Sequence, residues 1–331
     1  MLNFYISASQ TYNLFRHDDI YSRATFNSIL VDNMFSPNGG NAISTDSSLS
    51  LVKAFSEACE RHALIIPTTN PQKKYVSYDV ITNRIKYVSG SKLGYNYQTD
   101  TTGTATHLNI TSAIKHSIGE LIEKNALLRM WYKNDVENIS DIGWQPNNQK
   151  TIFLLNNFFF PYYVVLAAYK DENQYWHCGL GSSLENVSVA KQAAYKEMNL
   201  MWFQNNIDKV NFSLSKKHNK TLYWKWDSKQ IQHMDKLSSL NQVKKHHYFP
   251  IRDPKNIHEL GLLLSCTLKH IYITLITDNL FNKPLLTVRC FSDELISCVV
   301  QKSLLVKLLQ NSSVNFISVK DLKNKVDCPI V

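Results

Sequence analysis

Hydrophobic residues recur along this chain in two rhythms. From Asp46 to Leu64, the residues Leu49, Val52, Phe55, Ala58 and Cys59 fall at helical spacing behind an Asp46-Ser47-Ser48 start signal, which predicts an amphipathic helix. Thr111 to Trp131, the longest amphipathic segment, repeats Ile114, Ile118, Leu121, Ile122 and Leu128 every three or four positions and predicts a helix. Ser188–Trp202, Asn256–Leu268 and Asp293–Leu309 also read as helical. Lys74–Tyr78 and Arg84–Val88 flank the turn-like Thr82-Asn83 and predict a hairpin. Runs of aromatic and β-branched residues at Thr151–Leu155, Tyr162–Tyr169 and Tyr175–Leu180 predict adjacent antiparallel strands, with two more strands at Ile271–Thr277 and Leu285–Cys290. The fold class that follows is α/β (α+β mixed), with antiparallel sheets. Asn- and Lys-rich stretches near 133–150 and 205–246 read as long surface loops or hairpins. No low-complexity tract or Pro/Gly-rich linker divides the chain, so one domain over 1–331 is expected.

Composition narrows the classes of function. With 331 residues, 44% hydrophobic and 11% aromatic, the chain is globular and large enough to bury a core without staples, which excludes disordered and collagenous readings. The N-terminal residues show no secretory pattern, and the most apolar stretch, Phe153 to Tyr169, is broken by Asn156, Asn157 and Pro161. No membrane span is expected, and a cytoplasmic location is. Six cysteines lie far apart with no Cys-x-x-Cys pair, which argues against a zinc ribbon and predicts free thiols. The net charge is +9, with lysines clustered in Lys216–Lys225 and Lys244–His247. No nucleic-acid motif accompanies these clusters, so they read as a solvated basic face, or one that attracts an acidic peptide or a nucleotide, and nucleic acid is not expected as a partner.

The strongest signal is acidic. Glu57 and Glu60 form a Glu-x-x-Glu pair that recurs as Glu120 and Glu123 at an offset of 63, with a basic residue (Arg61, Lys124) after each pair and Ala-Leu closing both segments. Residues three apart share a helix face, here beside the apolar stripe, where paired carboxylates are costly unless something neutralises them. Of the ten glutamates in the chain, five (these four and Glu197) lie in three predicted helices. Carboxylates gathered in this way suit hard cations, and Mg²⁺ commonly completes its shell with water and nucleotide phosphates. Pairing of each Glu with a neighbouring Lys or Arg on a solvated face explains the same spacing. No P-loop or Rossmann glycine pattern is present. Cys59, between Glu57 and Glu60, reads as a buried small hydrophobe, and His246-His247 has no spaced partner set for a metal.

These segments resemble the YcaO family, whose ATP site is built from helices. The matching stretches are SLSLVKAFSEACERHAL at 48–64, GTATHLNITSAIKHSIGELIEKNALLRMW at 103–131 and AKQAAYKEM at 190–198, preceded by Gly39-Gly40. The resemblance covers about residues 35–300 and leaves a C-terminal tail at 310–331. It implies a YcaO-like fold with helices and antiparallel sheets around an ATP/Mg²⁺ site. It also implies that Glu57, Glu60, Glu120, Glu123 and Glu197 hold magnesium, and that Arg61 and Lys124 stand among the nucleotide-binding residues. The chain departs from the family's pattern at Lys53, Leu108, Lys124 and Ala193, where Ser, Asn, Arg and Gln are usual. Those departures point to altered ATP affinity.

YcaO proteins activate peptide backbone amides. In the commonest reaction a Cys, Ser or Thr side chain attacks the preceding carbonyl carbon, the oxyanion takes the γ-phosphoryl of ATP, and loss of phosphate leaves a thiazoline or oxazoline. The resemblance therefore implies an ATP-dependent cyclodehydratase acting on a ribosomal precursor peptide, like the stand-alone subunits of microcin-type synthetases. It also implies a separate leader-binding partner protein, a flavin-dependent dehydrogenase that follows, and a hetero-oligomeric complex. Thioamide or macroamidine formation, or a scaffold subunit of weak activity, are the alternatives. The family's C-terminal carboxylate, given the role of base, would be that of Val331, although the tail Asp327-Cys328-Pro329-Ile330-Val331 has a single proline where the family repeats it.

Overall fold

A computed structural model describes residues 3–8, 20–25, 30–31, 34–35, 39–94, 100–146, 150–212, 226–240, 254–276, 285–298 and 301–330, with backbone alone at 3–8, 30–31, 34–35 and 203–212. In chain order the elements are β1 (Asn3–Ala8), β2 (Ile20–Thr25), β3 (Leu30–Val31), β4 (Met34–Phe35), β5 (Gly39–Ser44), α1 (Ser47–Ala63), α2 (Ile65–Thr69), β6 (Lys74–Asp79), β7 (Arg84–Ser89), α3 (Gly90–Leu93), β8 (Thr104–His107) and α4 (Ile110–Lys133). They continue with β9 (Glu137–Asn138), β10 (Ile152–Asn156), β11 (Tyr163–Lys170), β12 (Trp176–Ser183), α5 (Val187–Phe212), α6 (Ser228–Ser238), α7 (Ile257–Leu264), β13 (Tyr272–Leu275), β14 (Leu286–Phe291), α8 (Lys302–Gln310) and α9 (Val319–Leu322). The fold is mixed α and β, and its sheets are antiparallel, as the sequence predicts.

The chain divides into two compact units. The first (1–125, 254–300 and 311–315) holds a three-stranded sheet in the order β1-β2-β5 and a five-stranded sheet in the order β7-β6-β13-β14-β8. Helix α1 begins where Asp46 Oδ1 accepts a hydrogen bond from Leu49 N at 2.9 Å, satisfying one of the free first-turn donors. Its buried face is made of small residues: Ala54 and Ala58 pack with Ala24 and Ala42 of the sheet below. Gly40 makes that approach feasible, because a Cβ there would stand 2.1 Å from Ala54 O and 2.7 Å from Glu57 Cβ. The Gly39-Gly40 pair is thus the strand half of a contact that seats Glu57.

The second unit (126–253, 301–310 and 316–331) is a sheet in the order β12-β11-β10-β9, with α5 packed on β11 and β12 through Ala190, Ala194 and Met198. Its polar tail is ordered through residue 330. Trp131 Nε1 donates to Val326 O at 2.9 Å, Lys302 N to Asp327 Oδ1 at 2.5 Å, and Cys328 N to Tyr132 Oη at 3.3 Å, while Ile330 is buried. Val331 lies outside the described residues.

Several expectations need correction. The stretch from Asp293 is not a helix: it turns through 293–298, and α8 starts at Lys302. Its polar groups bond to distant segments instead of along an axis. Glu294 Oε2 accepts from Lys269 N and His270 N, and Asn125 bonds both Ile296 N and Ile296 O. Nor is 205–246 all loop. Helix α5 runs on to Phe212, and α6 is held by a capping box in which Asp227 Oδ1 accepts from Gln230 N while the Gln230 side chain accepts from Asp227 N. The lysine clusters at 216–225 and 244–247, with His246-His247, lie outside the described residues. All six cysteines are free thiols, and among the described residues no helix is long and apolar enough to cross a membrane.

Candidate acidic site

Helices α1 and α4 carry the two glutamate pairs into the first unit. Glu57, Glu60, Glu120 and Glu123 are all half-buried, and so are Arg61 and Lys124. Glu57 is already held: Oε2 accepts from Asn41 N at 2.5 Å, and Oε1 pairs with Arg61 Nη2 at 2.5 Å across one helical turn. Arg61 Nη1 in turn donates to Gly39 O at 2.5 Å, which ties the start of β5 to the same cluster. Glu120 Oε2 accepts two backbone N–H groups, from Gly103 at 3.0 Å and Thr104 at 3.2 Å.

The electrostatics distinguish this group from solvated surface carboxylates. Burial pushes the Glu60 carboxyl well above the usual range, and the neighbouring Glu120 and Glu57 push it further. Glu120 is raised to about 8, first by burial and then by Glu123 and Asp100, against the lowering pull of Lys124. Glu57 is raised too, by burial, although Arg61 and the Asn41 N–H oppose it. These side chains keep an open rim, yet protein surrounds their carboxyl groups closely enough for desolvation to lead. A solvated face therefore does not describe Glu57, Glu60 or Glu120, although Glu57 does have a basic partner in Arg61.

Two further residues complete the group, and both were missed in the sequence. Asp100 Oδ1 accepts from Thr102 N at 2.7 Å. Arg289, on β14, has no exposed surface, and Asp100, Glu120 and Glu60 act on it together. Its Nη1 donates to Thr102 O at 2.6 Å and to Thr104 Oγ1 at 2.7 Å, while Nε and Nη2 have no hydrogen-bond partner among the described residues. Two unmade bonds on a buried cation cost about 1–3 kcal/mol each, an expense that ordinary packing does not tolerate. The available signal was a lone Arg in an apolar strand, Leu286-Thr287-Val288-Arg289-Cys290-Phe291, buried on both faces.

Among the described residues, no three carboxylate, imidazole or thiolate groups converge to hold a metal unaided. The carboxylates sense one another, but a cation here would need oxygen ligands from water or a bound phosphate as well. That requirement suits Mg²⁺, which keeps several non-protein ligands. Raised carboxylates and an under-bonded guanidinium at one place are the residues of a charged-ligand site. Glu197 belongs to the second unit, half-buried on α5, and Ala193 sits one turn before it. Of the departures in the first unit, Lys53 is exposed and Leu108 is 66% exposed.

No family model matches the chain, and no curated protein matches it in sequence. Solved structures do match. The YcaO protein of Methanopyrus kandleri bound with AMPPCP and Mg²⁺ is similar at a TM-score of 0.56 and 12% identity, over 87% of this chain and 84% of that one. A chain of the E. coli microcin synthetase McbBCD complex with pro-MccB17 bound gives 0.59 and 15%, over 98% and 96%. A heterocyclase in complex with substrate and cofactor gives 0.61 and 14% over 87% of this chain, which spans about half, 49%, of the heterocyclase. The likeness is one of fold, and the fold is YcaO-like.

Proposed function

We propose that this chain is an ATP- and Mg²⁺-dependent cyclodehydratase that activates backbone amides of a ribosomal precursor peptide and converts Cys, Ser or Thr to thiazoline or oxazoline. One observation carries the reading: buried, mutually repelling carboxylates on α1 and α4 beside an under-bonded Arg289, in a YcaO-like fold. The bound nucleotide and metal of one structural neighbour, and the bound microcin precursor of another, support it.

In this reading Glu57, Glu60, Glu120 and Glu123 would hold Mg²⁺ together with water or phosphate oxygens, and the sequence resemblance gives Glu197 the same role. When bound, Mg²⁺ would supply the cationic charge that stabilises the transferred phosphoryl group of the nucleotide. The chain's own residues do the rest. Arg61 keeps Glu57 oriented from one turn away, and the Gly103 and Thr104 amides aim Glu120. Desolvation of the carboxyl groups lets these charges act through a low local dielectric. The nucleophile comes from the peptide. The tail of the second unit is fastened to Tyr132 through the Cys328 N–H, and no step of the proposal runs through it. A leader-binding partner, a flavin-dependent dehydrogenase and assembly into a multi-subunit synthetase belong to it as well.

The test is ADP release by the chain supplied with its leader-binding partner and precursor, together with the mass of the peptide. Each ring formed removes ~18 Da, whereas thioamide formation would add ~16 Da, by atom counting on the attacking group. A scaffold reading draws on the lack of a ready three-ligand metal group and on exposed Leu108 where the family has a polar residue. It prevails if no ADP forms and Glu120→Gln leaves the peptide product unchanged.

A further inference from the structure

Glu120 is aimed by a segment, Thr102–Thr104, that local bonds such as Thr104 N to Thr101 O at 3.0 Å hold only in part. Gly103 stands at φ +80°, in the left-handed region, and a Cβ there would lie 2.7 Å from Cys290 O. Neighbours on three sides fix it. Cys290 N donates to Gly103 O at 2.6 Å, Ser117 Oγ donates to the same oxygen at 2.7 Å, and Arg289 Nη1 grips Thr102 O and Thr104 Oγ1 on either side. Arg289 is the charged member of that set. It is also paired in register with Thr104 across β14 and β8, so the grip is built into the sheet ladder.

The covalent geometry of a guanidinium adds a second point. With Nη1 occupied, Nε–H and the adjacent Nη2–H project in parallel from one edge, the two-donor fork that matches both oxygens of a carboxylate. Both donors of that edge are unpartnered and fully buried, with Asp100, Glu120 and Glu60 the acidic groups around them.

We infer that Arg289 is a positioning residue of the acidic site: it clamps the Thr102–Thr104 segment whose amides aim Glu120, and it keeps a second edge open for a carboxylate of the same cluster when a cation draws that cluster together. The inference rests on the Mg²⁺-nucleotide reading above. It goes beyond that reading in making cation affinity, and not nucleotide affinity, the quantity that depends on Arg289.

The experiment titrates Mg²⁺ into the full chain with AMPPCP and records the Mg²⁺ half-saturation point, the AMPPCP Kd at saturating Mg²⁺, and hydrogen exchange at the Gly103 and Thr104 amides. Arg289→Lys keeps the charge and removes the fork, while Thr104→Val removes one acceptor at nearly constant volume. The Mg²⁺ midpoint should rise about 10-fold or more in Arg289→Lys and roughly 3-fold in Thr104→Val, the scale seen when groups that orient metal ligands are removed. Exchange at both amides should quicken, and the Kd at saturating Mg²⁺ should stay within about 3-fold. An unchanged midpoint in the folded variants overturns the inference, and so does a loss confined to AMPPCP affinity, which would make Arg289 a direct phosphate ligand. If Arg289→Lys does not fold, Thr104→Val decides. A wild-type chain that binds no AMPPCP at any Mg²⁺ concentration sinks the nucleotide reading instead, and unaltered amide exchange in Thr104→Val then separately sinks the clamp.

Discussion

Among the described residues each unit buries one basic side chain completely, Arg289 in the first and Lys191 in the second, and the two are treated in opposite ways. In the second unit Lys191 Nζ donates to three backbone carbonyls, Ile139 O at 3.3 Å, Ser140 O at 3.3 Å and Ile142 O at 2.8 Å, and it lies 4.4 Å over the Phe153 ring. An ammonium has three protons to give, and all three have acceptors. In the first unit Arg289 has five, of which only those on Nη1 are engaged, and its neighbours include Glu120 and Glu60, which burial pushes above their normal range. Burial of a charge is costly in either place. Where the backbone satisfies it in full, the cation is a plug that fastens a loop. Where satisfaction is partial and the neighbours are acidic, the residual demand is directed at something the chain does not contain.

Substitutions can break or sharpen that contrast. The largest effect is expected from Glu120→Gln, which should cut ADP formation roughly 10³-fold in a coupled nucleotide assay, on the scale of other electrostatic stabilisers. The same change should hold or raise the unfolding midpoint of the metal-free chain, because it removes a strained carboxylate. Lys191→Met should do the reverse. It orphans three carbonyls and should cost about 2–4 kcal/mol in urea denaturation, and a fall in AMPPCP binding without loss of stability would end its description as a plug. Gly40→Ala comes next, at about 1–3 kcal/mol, because the added methyl must push α1 off β5. Displacement of Glu57 and Glu60 with the helix should appear as a weaker response to Mg²⁺ in the same titration.

Acidity gives a gentler probe. The folded-state value of Glu120 lies at about 8, above its ordinary 4.5, so between those limits the folded chain binds more protons than the unfolded one. Metal-free stability should therefore fall as pH rises from about 5 to about 8, by roughly 1–3 kcal/mol, and added Mg²⁺ should flatten the slope. A pH-independent midpoint in EDTA would show that the carboxylates are solvated after all. Leu108→Asn should be the mildest change. At an exposed position it should move stability by less than about 0.5 kcal/mol, and a gain in AMPPCP affinity would mark the family's usual residue as a nucleotide contact.

What the sequence made legible follows the range of the interactions concerned. Helices α1 and α4, the β6–β7 hairpin and strands β10 to β12 are written in local periodicity and turn chemistry, and their predicted spans agree with the structure to within a few residues. The turn at 293–298 is written in partners far along the chain, such as Lys269 for Glu294 and Asn125 for Ile296, which no window of sequence contains. Helix α6 had its capping signal in Asp227 and Gln230, but it buries only Met234 and Leu237, and its polar composition hid it. The glutamate pairs were visible because a repeat is a pattern. Arg289 was not, because its meaning depends on which bonds it fails to make.

The contact beneath Glu57 reaches into the history of the chain. A position where any methyl would land 2.1 Å from a carbonyl oxygen is closed to substitution unless a whole helix shifts, however freely the rest of the sequence drifts. Gly40 is therefore a fixed point against which remote descendants of this fold can be aligned when little else of the wording survives.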